Sequence, residues 1–252
     1  MLLVLVYHRV SDGGESFYTL SRARFAAQLR WLRQSGIAVV APGDLPRGNV
    51  SGVLLSFDDG TADHSRFVAR LLEDHGMRGL FLVPTARIGK PGYVSARELE
   101  RMHQAGHVIG SHGHTHHRLD RMDDSPLGEE LARSRRVLES ITGCPPQYVA
   151  PAGGFVTPRV ASACGAAGYS VMRTLAWGYN RRLNRGLLEA VPVLSLMGPG
   201  AFAALLRGEH EALLRSLFAA KNAIRWLTPA YARVRNSLAH TLLRNMEPQS
   251  PA

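Results

Sequence analysis

Four histidines fall within the six positions 112–117, in the run Ser111-His112-Gly113-His114-Thr115-His116-His117. Imidazole is a common metal ligand and also an ordinary polar loop group, so the cluster alone decides nothing. His112 and His116 lie four positions apart and follow an apolar segment, 107–110. That spacing lets both rings reach one ion if the segment turns helically or folds as a tight loop. The second chemical signal is Leu54-Leu55-Ser56-Phe57-Asp58-Asp59-Gly60, two adjacent carboxylates directly after a buried-strand pattern. Asp-Gly often serves only to make a turn. Neighbouring aspartates can nevertheless point differently, one to a metal and one to a water. A carboxylate at one strand end and His112/His116 at another make a two-His, one-carboxylate site with positions open to water. Imidazole and carboxylate without cysteine suit Zn²⁺, Co²⁺, Ni²⁺ or Mn²⁺.

These residues need elements to position them. Short apolar runs at 2–7, 37–40, 53–57, 79–83, 107–110, 147–150, 169–172 and 191–194 predict buried strands. Helix signals lie between most of them. Ser21 precedes Phe25, Leu29 and Leu32 on one face, closed by Gly36, and Phe67, Val68, Leu71 and Leu72 form another face, closed by Gly76. Ser95-Ala96-Arg97-Glu98 reads as a capping box, while Ser125-Pro126 and Thr157-Pro158 each place proline at a first helical position. Repeated βα units with continuous apolar strands predict an α/β fold with a parallel sheet, closed as a deformed (β/α)7-8 TIM-like barrel over 1–200. In such a barrel, strand C-terminal ends converge on the mouth where active sites are built.

From about residue 201 to 252 the pattern becomes a basic helical extension. Phe202, Leu206, Leu213, Leu217 and Ile224 recur at helical spacing, as do Tyr231, Val234, Leu238 and Leu242, with a break at Thr228-Pro229. Arg207, Arg215, Lys221, Arg225, Arg233, Arg235 and Arg244 supply its basic face. It reads either as helices packed on the barrel or as an amphipathic tail on an anionic membrane surface.

The 252 residues suffice for one sizeable core, and 45% hydrophobic content suits a globular protein. Cys144 and Cys164 give no disulfide framework, so a reducing compartment is expected. Residues 1–6 are apolar but lack a basic n-region, and His8-Arg9 ends the run short of a secretory h-region of roughly 7–15 residues. No run approaches the roughly 20 residues of a membrane span. A cytoplasmic protein, or one peripheral at the inner membrane face, is the expectation. The net charge of +10 implies an anionic partner. Nucleic acid is not expected, since no helix-turn-helix, zinc-finger or RNA-recognition signature is present.

Tyr7-His8-Arg9-Val10, Ser56-Phe57-Asp58-Asp59-Gly60 and Gly110-Ser111-His112-Gly113-His114-Thr115-His116 resemble, in order and spacing, the polysaccharide deacetylase family, also called the NodB-homology or carbohydrate esterase 4 domain. The resemblance covers roughly 1–195. It implies metal-dependent removal of N-acetyl groups from amino sugars, with an N-acetylated glycan, in a polysaccharide or on a lipid carrier, as substrate. By position it makes Asp59, His112 and His116 ligands of one divalent metal ion, Zn²⁺ first among the four ions named, and Asp58 the general base. Ala150-Pro151-Ala152-Gly153-Gly154 resembles the third motif and nominates the Ala152 backbone N–H for the oxyanion.

Three departures stand out. Val149 occupies the place of the third motif's arginine, which orients the catalytic aspartate, so either another basic residue substitutes or Asp58 is held less tightly. Trp177 matches the fourth motif's tryptophan, but Arg173 stands at its acidic position. The last strand, at Val193-Leu194-Ser195-Leu196, lacks the histidine that serves as general acid. Amide cleavage needs a proton for the departing amine. His8, at the end of the first strand, is the candidate, as in the branch acting on poly-N-acetylglucosamine.

Tyr7 and Trp177 could each line a sugar site or pack. His114 reads as a neighbour of the ligands or a solvated group, His103, His107 and His117 as structural or surface groups, and Asp63 and His64 as the exposed start of a helix. Two further readings stay open: another C–N hydrolase, such as a sugar deformylase or cyclic-amide hydrolase, and a catalytically impaired carbohydrate-binding homologue.

Overall fold

The computed structural model describes residues 1–13, 16–47, 51–181, 186–209 and 211–227. The described strands are β1 (Leu2–Tyr7), β2 (Arg9–Val10), β3 (Thr19–Leu20), β4 (Gly52–Asp58), β5 (Leu80–Val83), β6 (Val108–Ser111), β7 (Tyr148–Val149), β8 (Val171–Arg173), β9 (Leu187–Leu188) and β10 (Val191–Pro192). The helices are α1 (Arg22–Gln34), α2 (Ala69–Asp74), α3 (Ala96–Gln104), α4 (Asp124–Thr142), α5 (Pro158–Ala166), α6 (Pro199–Leu206) and α7 (Glu211–Leu227).

Eight strands form one sheet in the order β10-β1-β4-β5-β6-β7-β8-β9, every neighbour pair parallel. Strands β9 and β10 lie at opposite ends of that order, yet only Glu189 and Ala190 separate them in sequence. One extended stretch therefore pairs with β8 by its first half and with β1 by its second. The sheet curls until both edges share that stretch, which gives the deformed α/β barrel that the patterning predicts. Asn180 fastens the seam. Its side chain donates to Glu189 O at 2.9 Å and Leu2 O at 3.3 Å, and accepts from Glu189 N at 2.9 Å.

Side-chain alternation divides the core in two. Leu2, Val4, Val6, Leu54, Leu80, Leu82, Tyr148, Leu188 and Ala190 fill the barrel interior. The alternate residues Leu3, Leu5, Tyr7, Val53, Leu55, Phe57 and Phe81 face outward and meet Phe25, Leu29 and Leu32 of α1, Leu72 of α2, and Leu99 and Met102 of α3. The period of two along each strand imposes this division.

The caps follow the sequence signals. Ser21 accepts from Arg24 N, Ser95 and Glu98 form the capping box, and Thr157 caps α5 with Pro158 at its first position. Helix α4 instead starts at Asp124, which places Pro126 at the third helical position, still within the first turn. The segment 37–40 is not a strand; Val39 makes a single bridge to Val53 before a 3-10 turn opens at Pro42. Of the C-terminal extension, α6 enters the main core through Ala201, Phe202 and Leu205, and Leu214 of α7 joins it. The signals from Thr228 onward, including Tyr231, Arg233, Val234, Arg235, Leu238, Leu242 and Arg244, lie outside the described residues. Among the described residues no helix is long and apolar enough to cross a membrane. Cys144 and Cys164 are unbridged.

Asn180→Ala strips three hydrogen bonds from the seam and leaves the Glu189 N–H without its acceptor. A loss of about 1–3 kcal/mol is expected in urea denaturation, the cost of stranding buried polar groups.

Candidate active site

Inward alternation carries past the last apolar layer and builds the site. His8 follows Val4 and Val6 on the interior face of β1, Asp58 follows Leu54, His112 follows Val108, and Arg173 follows Val171. All four belong to strand C-terminal ends, so their side chains converge on one mouth.

Asp58 is 1% exposed. Its Oδ2 accepts from the guanidinium of Arg173, which is equally buried, while Oδ1 has no hydrogen-bond partner among the described residues. Burial pushes the Asp58 carboxyl up, but its charged surroundings, the Arg173 guanidinium foremost, outweigh that and hold the group below the usual carboxylate range. The result is an ionised carboxylate with one oxygen pinned and one open. Arg173 thus takes the place of the arginine missing at Val149, which is an ordinary buried strand residue. Sequence comparison passed over it because its motif position calls for an acid; the signal it did carry is its parity with Val171.

Asp59, His112 and His116 each offer a ligand atom, and these atoms lie within 4.8 Å of one another. His112 donates from Nδ1 to Ala150 O at 2.7 Å, which leaves the Nε2 lone pair facing Asp59 Oδ1 at 3.8 Å and Asp58 Oδ2 at 3.9 Å. Burial, partly opposed by Asp58 and Asp59, lowers the His112 pKa, so the ring stays neutral, the form that ligates. Asp59 also stays ionised: burial raises its pKa, and its surroundings, the hydrogen bond to His116 foremost, more than reverse that. His116 Nε2 sits 3.0 Å from Asp59 Oδ1, and Arg87 donates to its Nδ1 at 2.9 Å. A ligating Nε2 would put the ring proton on Nδ1, so metal binding requires Arg87 to shift. The two neutral-capable imidazoles and one carboxylate otherwise match the donor set of an open divalent site.

Two of these residues are held in left-handed backbone, Asp59 at φ 77° and His116 at φ 66°. For the loop that carries His116, helix α4 supplies the restraint. Glu130 Oε1 accepts from His114 N, Thr115 N and Thr115 Oγ1 at 2.6–2.9 Å, and Ser134 donates to Gly113 O at 3.1 Å. Neither Glu130 nor Ser134 was among the sequence candidates, since nothing local links α4 to the loop.

His8 comes to the same mouth. The charges of Asp58, Asp59 and Arg173 all act on its ring, its Nδ1 is buried without a hydrogen-bond partner among the described residues, and burial lowers its pKa. Ala152 leads the turn after β7, in which Gly153 sits at φ 71° and Pro151 O accepts from Gly154 N at 2.9 Å, two residues beyond the carbonyl that holds His112.

Other candidates are placed elsewhere. Tyr7 has the opposite parity to His8; it is 1% exposed, stacks on Phe57 and donates to Gln28. It belongs to the layer under α1, not to a sugar site. Trp177 packs against the core and Phe218 of α7. His114 bonds Thr85, and His107 bonds Glu73 and Gly79. The exposed-helix expectation for Asp63 and His64 is overturned: His64 is 1% exposed, and both side chains bond the backbone around His8. Their partners lie more than fifty positions away in sequence, beyond the reach of local patterning.

Comparison with known proteins bears on the family and the fold. Residues 47–172 match the sequence model described as polysaccharide deacetylase. YxkH of Bacillus subtilis is 24% identical over 147 residues, 56% of this chain and 52% of that protein. A chitin deacetylase of Pestalotiopsis is 29% identical over 118 residues, 47% of this chain and 39% of the other. The chain therefore spans about half the length of these curated relatives or less. The structure of IcaB from Ammonifex degensii superposes with a TM-score of 0.72 at 28% identity, over 85% of this chain and 97% of IcaB.

Arg173→Leu is expected to destabilise the fold by about 3–5 kcal/mol, because it strands a buried carboxylate. Asp58→Asn in that background should recover part of the loss. The pH dependence gives a second check. In the wild type the folded Asp58 pKa is depressed, so its stabilisation is full above the unfolded value of about 3.9 and fades as pH falls below it. The variant's unpaired carboxyl has the opposite sign. Its deficit in denaturation experiments should therefore shrink on acidification.

Proposed function

We propose that this chain, which belongs to the polysaccharide deacetylase family, hydrolyses the N-acetyl amide of an amino sugar within a polysaccharide or lipid-linked glycan. The observation that carries the reading is Asp58: a buried, ionised carboxylate, fixed through one oxygen by Arg173 and open at the other, beside the donors of Asp59, His112 and His116. The chitin deacetylase of Pestalotiopsis supports an N-acetylated glycan as the substrate class.

Asp59, His112 and His116 would hold a divalent cation, with Zn²⁺ first and Co²⁺, Ni²⁺ or Mn²⁺ as alternatives. Such an ion supplies Lewis acidity toward the amide carbonyl and toward water. Asp58 Oδ1 accepts a proton from the attacking water. Arg173 keeps Asp58 charged before the transfer and in register during it. The Ala152 N–H donates to the former carbonyl oxygen as negative charge gathers there. His8 delivers a proton to the departing nitrogen, so the products are acetate and the free amine. One proton is taken and one is given, on opposite sides of the scissile bond.

The test is acetate release with product mass spectrometry on N-acetylglucosamine oligomers and lipid-linked sugars, together with metal analysis. Wild type should bind about one divalent ion and release acetate; chelation should abolish turnover and Zn²⁺ or Co²⁺ should restore it. Asp58→Asn should keep its metal and lose roughly 10²–10⁴-fold in rate, the usual contribution of a general base. A purified protein that binds no divalent metal and frees no acetate from any N-acetyl sugar would sink the reading.

A further inference from the structure

His8 owes its position to residues that do not touch its ring. It lies in the short link between β1 and β2, and its ring tilts against that of Tyr18, 4.7 Å away between centroids. The backbone that leaves His8 is pinned by two side chains that follow the aspartate motif. Asp63 Oδ2 accepts from Val10 N at 2.8 Å, and His64 Nε2 donates to His8 O.

The setting of His64 is unusual for a polar ring. It is almost fully buried, edge-on to Phe57 at 5.8 Å and tilted against Phe81 at 5.7 Å. Its Nδ1 is buried with no hydrogen-bond partner among the described residues. A phenylalanine or leucine would fill that socket without desolvating two nitrogens, a burial that costs free energy unless bonds replace the lost water. The one bond His64 makes there goes to the carbonyl of His8. Residues 64–68 also form a π-turn instead of an α-turn. Such turns are rare and tend to mark functional positions.

We propose that Asp63 and His64 are positioning residues for the proton donor: a clamp that fixes His8 against the same strand end that carries Asp58 and Asp59. The inference rests on His8 acting as general acid. In the stretch 58–64, then, the base, one metal ligand and both halves of the clamp follow within seven positions. The clamp sets the distance between base and acid by tying the two strand ends together, with Val10 anchored in the core beneath it.

A general acid matters in proportion to how poor the leaving group is. An amine must be protonated as it departs, whereas 4-nitrophenolate leaves without help. The test compares turnover of an N-acetylglucosamine oligomer with turnover of 4-nitrophenyl acetate by the metal-loaded protein. Asp63→Ala and His64→Phe are the variants; the second keeps the aromatic packing and removes the donor. Each is expected to lower amide turnover about 10- to 100-fold, the scale of a misplaced catalytic group, with ester turnover within about threefold and metal content unchanged. Asp63→Asn, which retains an acceptor for Val10 N, should restore most of the amide rate. His8→Ala is the reference and should shift the ratio most. If His8→Ala leaves the amide-to-ester ratio unchanged, the general-acid reading fails and the clamp with it. If His8→Ala shifts the ratio and neither clamp variant does, or both variants lose amide and ester turnover equally, the clamp alone is overturned.

Discussion

The pairing of Asp58 with Arg173 governs the rest. A carboxylate with almost no exposure stays ionised only if an opposite charge compensates its lost hydration. Strands β4 and β8, which carry the two residues, are four places apart in the sheet. In a flat sheet that separation would be roughly 19 Å at the usual interstrand spacing. The contact exists because the sheet is curled, and the sheet stays curled because residues 187–192 belong to both of its edges. Charge state at the mouth is thus a property of barrel closure. A seam far from Asp58 determines whether that carboxylate stays ionised, as the proposed base must be.

Much of this was legible from residue order. The carboxylates after a buried strand, the histidine pair and the parallel barrel follow from apolar runs and motif spacing. What period-two alternation adds is aim. His8, Asp58, His112 and Arg173 share the interior parity of their strands, whereas Tyr7 does not, and it accordingly packs under α1. The same rule, applied to Val171 and Arg173, would have flagged the arginine that motif matching passed over. The partnerships of Asp63, His64, Glu130 and Ser134 carry no such signal. They are contacts between segments remote in sequence, fixed by how helices lie on the barrel, and no local pattern encodes them.

The metal side of the site is strained and therefore needs support. Left-handed backbone at a residue bearing a Cβ costs on the order of 1–3 kcal/mol when the surroundings do not enforce it. Asp59 and His116 both adopt it, and both are proposed ligands. Glu130 converts a flexible histidine-rich loop into a fixed one by collecting three donors on a single oxygen, two of them backbone amides. Gly113 is required for the same reason: at φ 79°, an added Cβ would stand 3.0 Å from that oxygen. Of the four histidines in six positions, His112 and His116 are the two whose Nε2 atoms come within 4 Å of Asp59.

The absence of a late histidine also has a structural counterpart. Past β10 the chain at Ser195 and Met197 is tied down by Arg24 of α1, whose guanidinium donates to both carbonyls. That strand end works as an anchor between the barrel and α1, leaving no acid-bearing side chain to project. In the proposed mechanism the proton donor comes from another strand, and β1 is the one strand of the sheet that neighbours both β4 and β10. Placing the acid there puts it next to the base's own strand, where a single turn after the aspartate pair can hold it. Moving the histidine from the last strand to the first therefore shortens the chain of contacts that relates base to acid. It also makes residues 58–64 answerable for both.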